Sequence, residues 1–198
     1  MMKKLPHHFQ SLLRNEQGIA AVEFALIAPT FMLMLMGVFD LGYAGYIQSV
    51  LQGAVEEAGR GSSLETTTSA NLDTKVRDTV KELNKSGTLT TGRLYYEKYS
   101  DISVPEDFTD ANANGLRDAG ECFIDKNGNS MWDSDVGLAG RGGAQDVVVY
   151  TASFNYKRMF PLWTILGQSD TQVISAKTYL RNQPFSAQAA RVGVKVCT

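Results

Sequence analysis

Gly18-Ile19-Ala20-Ala21-Val22-Glu23-Phe24 heads an apolar run in which, from Ile19 to Phe39, Glu23 is the only charged residue. At 1.5 Å rise per residue, a helix over that run spans about 30 Å, roughly the hydrocarbon core of a bilayer. The run reads as a membrane-spanning helix and decides the architecture, which is one anchor followed by one exported domain. A carboxylate deep in such a segment costs on the order of 2.5–3.5 kcal/mol on insertion scales, and less near the interface, so Glu23 calls for a partner or a role. The alternative is that its side chain snorkels to the headgroups.

The charges flanking the run give it a direction. Lys3, Lys4 and Arg14 precede it with only Glu16 opposing them, whereas the first charges beyond it are Asp40, Glu56 and Glu57. The positive-inside bias therefore predicts a single-pass membrane protein with a cytoplasmic N-terminus and an exported C-terminal domain. A secretory signal peptide competes, but here the apolar run continues into a helix instead of ending at a small-residue cleavage site. A chain of 198 residues, 43% hydrophobic, suits one membrane segment plus one soluble domain.

Beyond Phe39, Leu51, Ala54, Val55 and Ala58 recur at helical spacing, so one helix is predicted from about Ala20 to Arg60. Pro29 inside it should kink it or leave a carbonyl unpaired. Tyr43 and Tyr46 fit an interfacial aromatic belt, or else pack against the exported domain. Residues 61–70 read as a linker. A second helix follows, with Leu72, Val76, Val80 and Leu83 on one stripe and Gly87 as its stop. Arg93 to Tyr99 reads as a strand. Asp146 to Tyr156 alternates with Val148, Tyr150, Ala152, Phe154 and Tyr156 on one face, and Gln172 to Leu180 does so with Ile174, Ala176, Thr178 and Leu180. Joined through Phe160-Pro161-Leu162-Trp163 and Gly167, these two strands predict an antiparallel sheet packed on the long helix. Val192, Val194 and Val196 could add another strand. The fold class is α+β: a leader over 1–18, a transmembrane and extended helix over 19–60, and an exported domain over 61–198 with an acidic insert at 106–137.

The head of the apolar run resembles the processing site of the type IV pilin superfamily, and more closely that of Flp pilins and TadE-like pseudopilins of the tight-adherence (Tad) pilus machinery. In that family a prepilin peptidase cuts after the glycine. The resemblance implies a cut between Gly18 and Ile19, with Glu23 fifth in the mature chain and Phe24 sixth, in place of the frequent tyrosine. The new amine at Ile19 is cationic, and Glu23 of one subunit could pair with the amine of its neighbour. At about 4 Å and an effective dielectric near 20, such a pair is worth on the order of 4 kcal/mol before desolvation.

A valine-rich strand with a tyrosine (Val147 to Tyr150), an apolar turn with proline (Pro161, Leu162) and Arg181-Asn182-Gln183-Pro184-Phe185 also resemble the TadE-like pattern. The resemblance covers roughly residues 15–60 and 145–185. It implies a minor pseudopilin whose partners are the prepilin peptidase, other pilins or pseudopilins, Tad inner-membrane components and the membrane. The competing reading is an unprocessed, membrane-anchored exported domain with a calcium-stabilised adhesive or binding surface.

From Asp101 to Asp135, nine acidic residues face only Arg117 and Lys126, so this window carries −7 and the rest of the chain +5. Such segregation argues against nucleic acid as a partner and for a bound cation. Asp110, Asn112, Asn114, Leu116, Asp118 and Glu121 occupy positions 1, 3, 5, 7, 9 and 12 of a calcium loop of the EF-hand type, with Gly115 at the sharp turn. Asp125, Asn127, Asn129, Met131 and Asp133 repeat the pattern, but Val136 stands where the last carboxylate belongs. Asp135 is the nearest substitute. Because Pro105 precedes the first loop and the second follows at once, helix-poor calcium loops with a structural role are expected, not a sensor EF-hand. The alternative is a polar loop whose Asn, Asp and Gly serve turns.

Cys122 and Cys197 fall in the exported part, where disulfides persist; they are either bonded, worth about 4 kcal/mol in the chain-entropy model, or two free thiols. The only histidines, His7 and His8, lie in the expected leader. A mature chain without an imidazole, a phosphate loop or a zinc-type cysteine set does not read as an enzyme.

Overall fold

The structure, a computed structural model, describes residues 18–62, 69–183 and 191–197. The expected leader apart from Gly18, most of the linker, and Pro184 with Phe185 lie outside the described residues. The first helix, α1 (Ile19–Ser62), is a single 44-residue element that runs unbroken through Pro29. Proline lacks the N–H that the carbonyl of Ala25 would otherwise accept, so one rung of the ladder is missing there.

The chain divides into two compact units. One holds α1 up to Tyr43 with Arg158–Asp170, and the other holds Ala44–Lys157 with Thr171–Thr198. In the larger unit lie α2 (Ser69–Leu83) and the strands β1 (Thr88–Tyr96), β2 (Cys122–Asp125), β3 (Leu138–Ala139), β4 (Val147–Lys157), β5 (Thr171–Arg181) and β6 (Val194–Cys197). The main sheet has the order β3-β1-β4-β5 and is antiparallel throughout.

The predicted faces are buried in the main, although Val147 and Val149 on the other face of β4 are buried too and Thr178 and Leu180 of β5 are only partly so. Val148, Tyr150, Ala152, Phe154 and Tyr156 of β4 are buried with Ile174 and Ala176 of β5, and so are Ile47, Leu51, Val55 and Ala58 of α1. Full burial of the valine, leucine, isoleucine and phenylalanine side chains among them stabilises by about 1.5–3 kcal/mol each. The helix meets the sheet closely at Gly59, where a Cβ would stand 2.8 Å from Thr178 Cγ2. Beside it, Gln48 Nε2 donates to the Ser175 carbonyl at 3.2 Å.

On α2 the buried residues are Leu72, Val76 and Val80. Asp73 ties this helix to the sheet by accepting from Arg93 Nη1 and Nη2, at 2.9 and 2.7 Å, and from the Tyr150 hydroxyl at 2.7 Å. Burial alone would raise the Asp73 carboxyl, but the hydrogen bonds from Arg93 and Tyr150 outweigh it and hold the group below the usual carboxylate range. Burial, and then the bond to Asp73, push the Tyr150 hydroxyl above the ordinary phenol value.

Three details differ from the sequence expectation. β1 begins at Thr88, not Arg93, and ends at Tyr96, because the whole of Thr88–Tyr96 pairs with β4, from Thr88 opposite Asn155 to Tyr96 opposite Val147. The Thr-rich start carries no apolar alternation, and its strand character comes from pairing. Gly87 does not stop α2, which ends at Leu83 with the Asn84 amide on the Val80 carbonyl. Gly87 is required instead by Phe154, whose Cζ would lie 2.0 Å from any Cβ there. Finally, β6 leaves the main sheet and pairs with β2.

Candidate processing segment and acidic loops

Gly18, Ile19, Glu23 and Phe24 are all exposed at the head of α1, and Glu23 stands one helical turn beyond Ile19. Val22, Phe24, Leu26, Phe31, Met34 and Val38 are exposed along the same stretch. This helix is long and apolar enough to cross a membrane by length and composition.

At the far end of the apolar run the structure assigns a role that sequence reading missed. Asp40, read only as the first charge after the run, is buried and accepts from Arg158 Nη1 and, at 2.7 Å, from Trp163 Nε1. The Arg158 guanidinium lies 4.6 Å from the Trp163 ring centroid. These partners sit in the turn after β4, which includes the short helix α3 (Leu162–Ile165). No local spacing announces this contact.

Both acidic loops fold on one backbone plan. In each, the fourth and sixth positions take positive φ: Ala113 at 58° and Gly115 at 76° in the first, Gly128 at 81° and Ser130 at 62° in the second. The glycine has exchanged places, so each loop keeps one non-glycine residue in the left-handed region. The first aspartate closes each turn. Asp110 accepts from the Asn114 and Gly115 amides at 3.2 and 2.8 Å, and Asp125 from those of Gly128 and Ser130 at 2.6 and 2.8 Å. Asn112 and Asn114 both donate to Asp118 Oδ2 at 2.7 Å, while Asn127 and Asn129 both donate to Asp133 Oδ2 at 2.6 Å. The bond from Asn112, followed by that from Asn114, holds the exposed Asp118 carboxyl below its usual range. The Leu116 and Met131 amides are bound by Asn114 and Asn129, each at 2.7 Å.

The closing carboxylate differs between the loops. Glu121 accepts from the Ala111 amide at 2.8 Å and the Asp118 amide at 3.0 Å. In the second loop the equivalent amides, of Lys126 and Asp133, go to Glu106 at 2.7 and 3.3 Å. Asp135, the expected substitute, is engaged elsewhere by the Tyr96 hydroxyl and the Gly137 amide, each at 3.0 Å. Glu106 is brought there by main-chain pairing: its amide donates to the Asp133 carbonyl at 3.0 Å and the Ile124 amide to Asp107 at 2.8 Å. Trp132 Nε1 then closes on the Glu106 carbonyl at 2.9 Å. Glu106 precedes both loops in sequence; the signal that could have found it is an unassigned glutamate beside a loop short of one.

Among the described residues, no three His, Cys, Asp or Glu side chains converge around a common point as they would on a metal ion. The carboxylates are turned onto main-chain and asparagine amides instead. The donor chemistry, carboxylate and amide oxygen with no nitrogen or sulfur ligand, is nonetheless that of a hard cation such as calcium. Between the loops, β2 pairs with β6 so that Cys122 faces Cys197, and the two form a disulfide with Cα atoms 4.1 Å apart.

No curated protein and no solved structure matches the chain. The family model described as TadE-like protein matches residues 18–60, a stretch that coincides with Gly18 and nearly all of α1. Through that helix the chain is similar to TadE-like proteins, and the similarity supports a pilus-associated protein of the Tad system.

Proposed function

We propose that this chain is a minor pseudopilin, a structural and not a catalytic component of a Tad-type pilus, anchored in the inner membrane by α1 with its N-terminus cytoplasmic. The observation that carries the reading is the coincidence of the TadE-like match with a long apolar helix headed by Gly18, with Glu23 one turn in. A prepilin peptidase would hydrolyse the Gly18–Ile19 bond, leaving a carboxylate on Gly18 and an ammonium on Ile19. Glu23 would then meet the ammonium of a neighbouring pilin or pseudopilin as the helices pack. A Cβ at Gly18 would touch nothing within 4 Å among the described residues, so the demand for glycine would come from the peptidase. The test is Gly18→Leu in cells that carry the peptidase, with N-terminal sequencing of the membrane protein. An Ile19 start in the parent that is lost in the variant supports the proposal. A mature-sized variant overturns it, and an intact Met1 in the parent favours the unprocessed adhesive domain.

The acidic loops would hold calcium. Asp110, Asn112, Asn114, the Leu116 carbonyl, Asp118 and Glu121 would serve the first site. Asp125, Asn127, Asn129, the Met131 carbonyl and Asp133 would serve the second, with Glu106 as the closing carboxylate. The ion would supply positive charge to a window of net −7 and fix the loops as a structural element. Affinity of the extracellular class, about 10⁻⁴–10⁻³ M, suits that role.

A further inference from the structure

We propose that the turn between β4 and β5 is a second membrane-contacting element, seated in the headgroup region beside the end of the anchor; this rests on the reading of α1 as a membrane span. The turn, Arg158–Asp170, belongs to the same compact unit as α1 up to Tyr43. Its inner side is committed to the helix. The Phe160 ring lies 6.5 Å from that of Phe39, Leu162 Cδ2 would be 3.4 Å from a Cβ on Gly37, and Arg158 with Trp163 binds Asp40.

Those contacts set the depth of the turn. With the hydrocarbon crossed between Ile19 and Phe39, about 30 Å of helix, Gly37 to Asp40 is the last turn and lies level with the interface. The outer side of the turn carries Met159, Ile165 and Leu166, exposed by 61%, 67% and 61%, with the exposed polar residues Thr164, Gln168, Ser169 and Asp170 beside them to face the headgroups. Val38, Phe39 and Leu41 of the helix are exposed in the same unit, so the turn extends the lipid-facing surface of the anchor instead of forming a separate patch. At that level these side chains meet headgroups and upper acyl chains, and burying them there is favourable. Trp163, half-buried with its N–H bonded and a cation over its ring, has the character of an interfacial tryptophan. The Asp40–Arg158 pair fits as well, because a carboxylate at the edge of the hydrocarbon needs a bound counter-charge.

The test uses the full chain in phosphatidylcholine–phosphatidylglycerol vesicles, with the fluorophore NBD on Ile165→Cys. Both native cysteines are held in the disulfide, so the introduced thiol is the one labelled. Leu26→Cys, in mid-span, and free NBD-cysteine in water are the references, and Leu166→Cys repeats the measurement should position 165 tolerate the label poorly. Doxyl groups high on the acyl chains should quench the label at 165, and its iodide quenching constant should fall several-fold below that of the free label. Iodide quenching at 165 equal to the free label, with Leu26 still lipid-quenched, overturns the proposal and leaves the anchor standing. Protection from both quenchers at 165 also overturns it, because protein would then cover the turn. Iodide access at Leu26 removes the anchor reading itself.

Discussion

The two acidic loops arrive at one hydrogen-bond pattern by different routes through the chain. The first is self-contained, since the carboxylate that binds its second and ninth amides, Glu121, comes from its own last position. The second borrows Glu106 from a segment that precedes both loops. A local loop is closed by turn chemistry alone, whereas a borrowed one closes only when the surrounding fold has brought the segments together. The first loop should therefore tolerate damage elsewhere, and the second should report on it.

The largest effect expected is that of the disulfide. Replacing Cys122 and Cys197 by Ser frees β6 from β2 and should cost about 4 kcal/mol in the chain-entropy model, read by denaturant titration of the full chain in detergent. Because β2 joins the two loops, the second should loosen with it while the first stays closed, as hydrogen exchange at the Lys126 and Ala111 amides would report. Equal loss of protection at both amides would erase the distinction drawn between the loops.

Next come the closing glutamates. Glu106→Ala leaves two part-buried amides without an acceptor beside a fully buried side-chain site and should cost about 3 kcal/mol; Glu121→Ala should cost about 2 kcal/mol, because Glu121 is the more exposed of the two. With calcium, linkage gives each occupied loop about 1.4 kcal/mol at about 10 mM ion and a Kd of about 1 mM. Asp110→Ala with Glu121→Ala should remove the share of the first loop, and Glu106→Gln that of the second. Melting curves with and without the ion separate these contributions. A full calcium shift in Glu106→Gln would return the second loop to the status of a polar turn, and no shift in the parent would do so for both.

The smallest effect is on pH dependence. The folded value of Asp73 is depressed, so its contribution is complete above the unfolded value near 3.8 and is lost as pH falls through the lower folded value. Asp73→Asn should cost about 1 kcal/mol at neutral pH and flatten the acid limb. An unchanged acid limb would assign that limb to other carboxylates, with those of the loops the first to examine.

What the sequence made legible is what repeats locally. α1, the buried face of β4 and the alternation in β5 all follow from period, each decided within a few residues. The contacts that escaped join distant segments: Glu106 to Lys126 and Asp133, Asp40 to Arg158 and Trp163, and the Thr88 end of β1 to Asn155. Gly87 shows the same limit in one residue, since a glycine after a helix reads as a stop and the ring that demands it lies on another strand. Asp135 was the natural substitute by proximity in sequence, yet proximity in space belonged to Glu106.

The loops also bear on how the protein ages. Asn114-Gly115 and Asn127-Gly128 are Asn-Gly steps, the dipeptide most prone to deamidation, in which the glycine nitrogen attacks the asparagine side chain to form a succinimide. In both loops that nitrogen is already donating its hydrogen to the first aspartate, Gly115 to Asp110 at 2.8 Å and Gly128 to Asp125 at 2.6 Å. An N–H held on a carboxylate is harder to deprotonate and is aimed away from the carbonyl it would attack. The aspartate that closes each turn thus acts as a preservative for the asparagine beside it, and the chemical lifetime of these loops is set by how seldom they open.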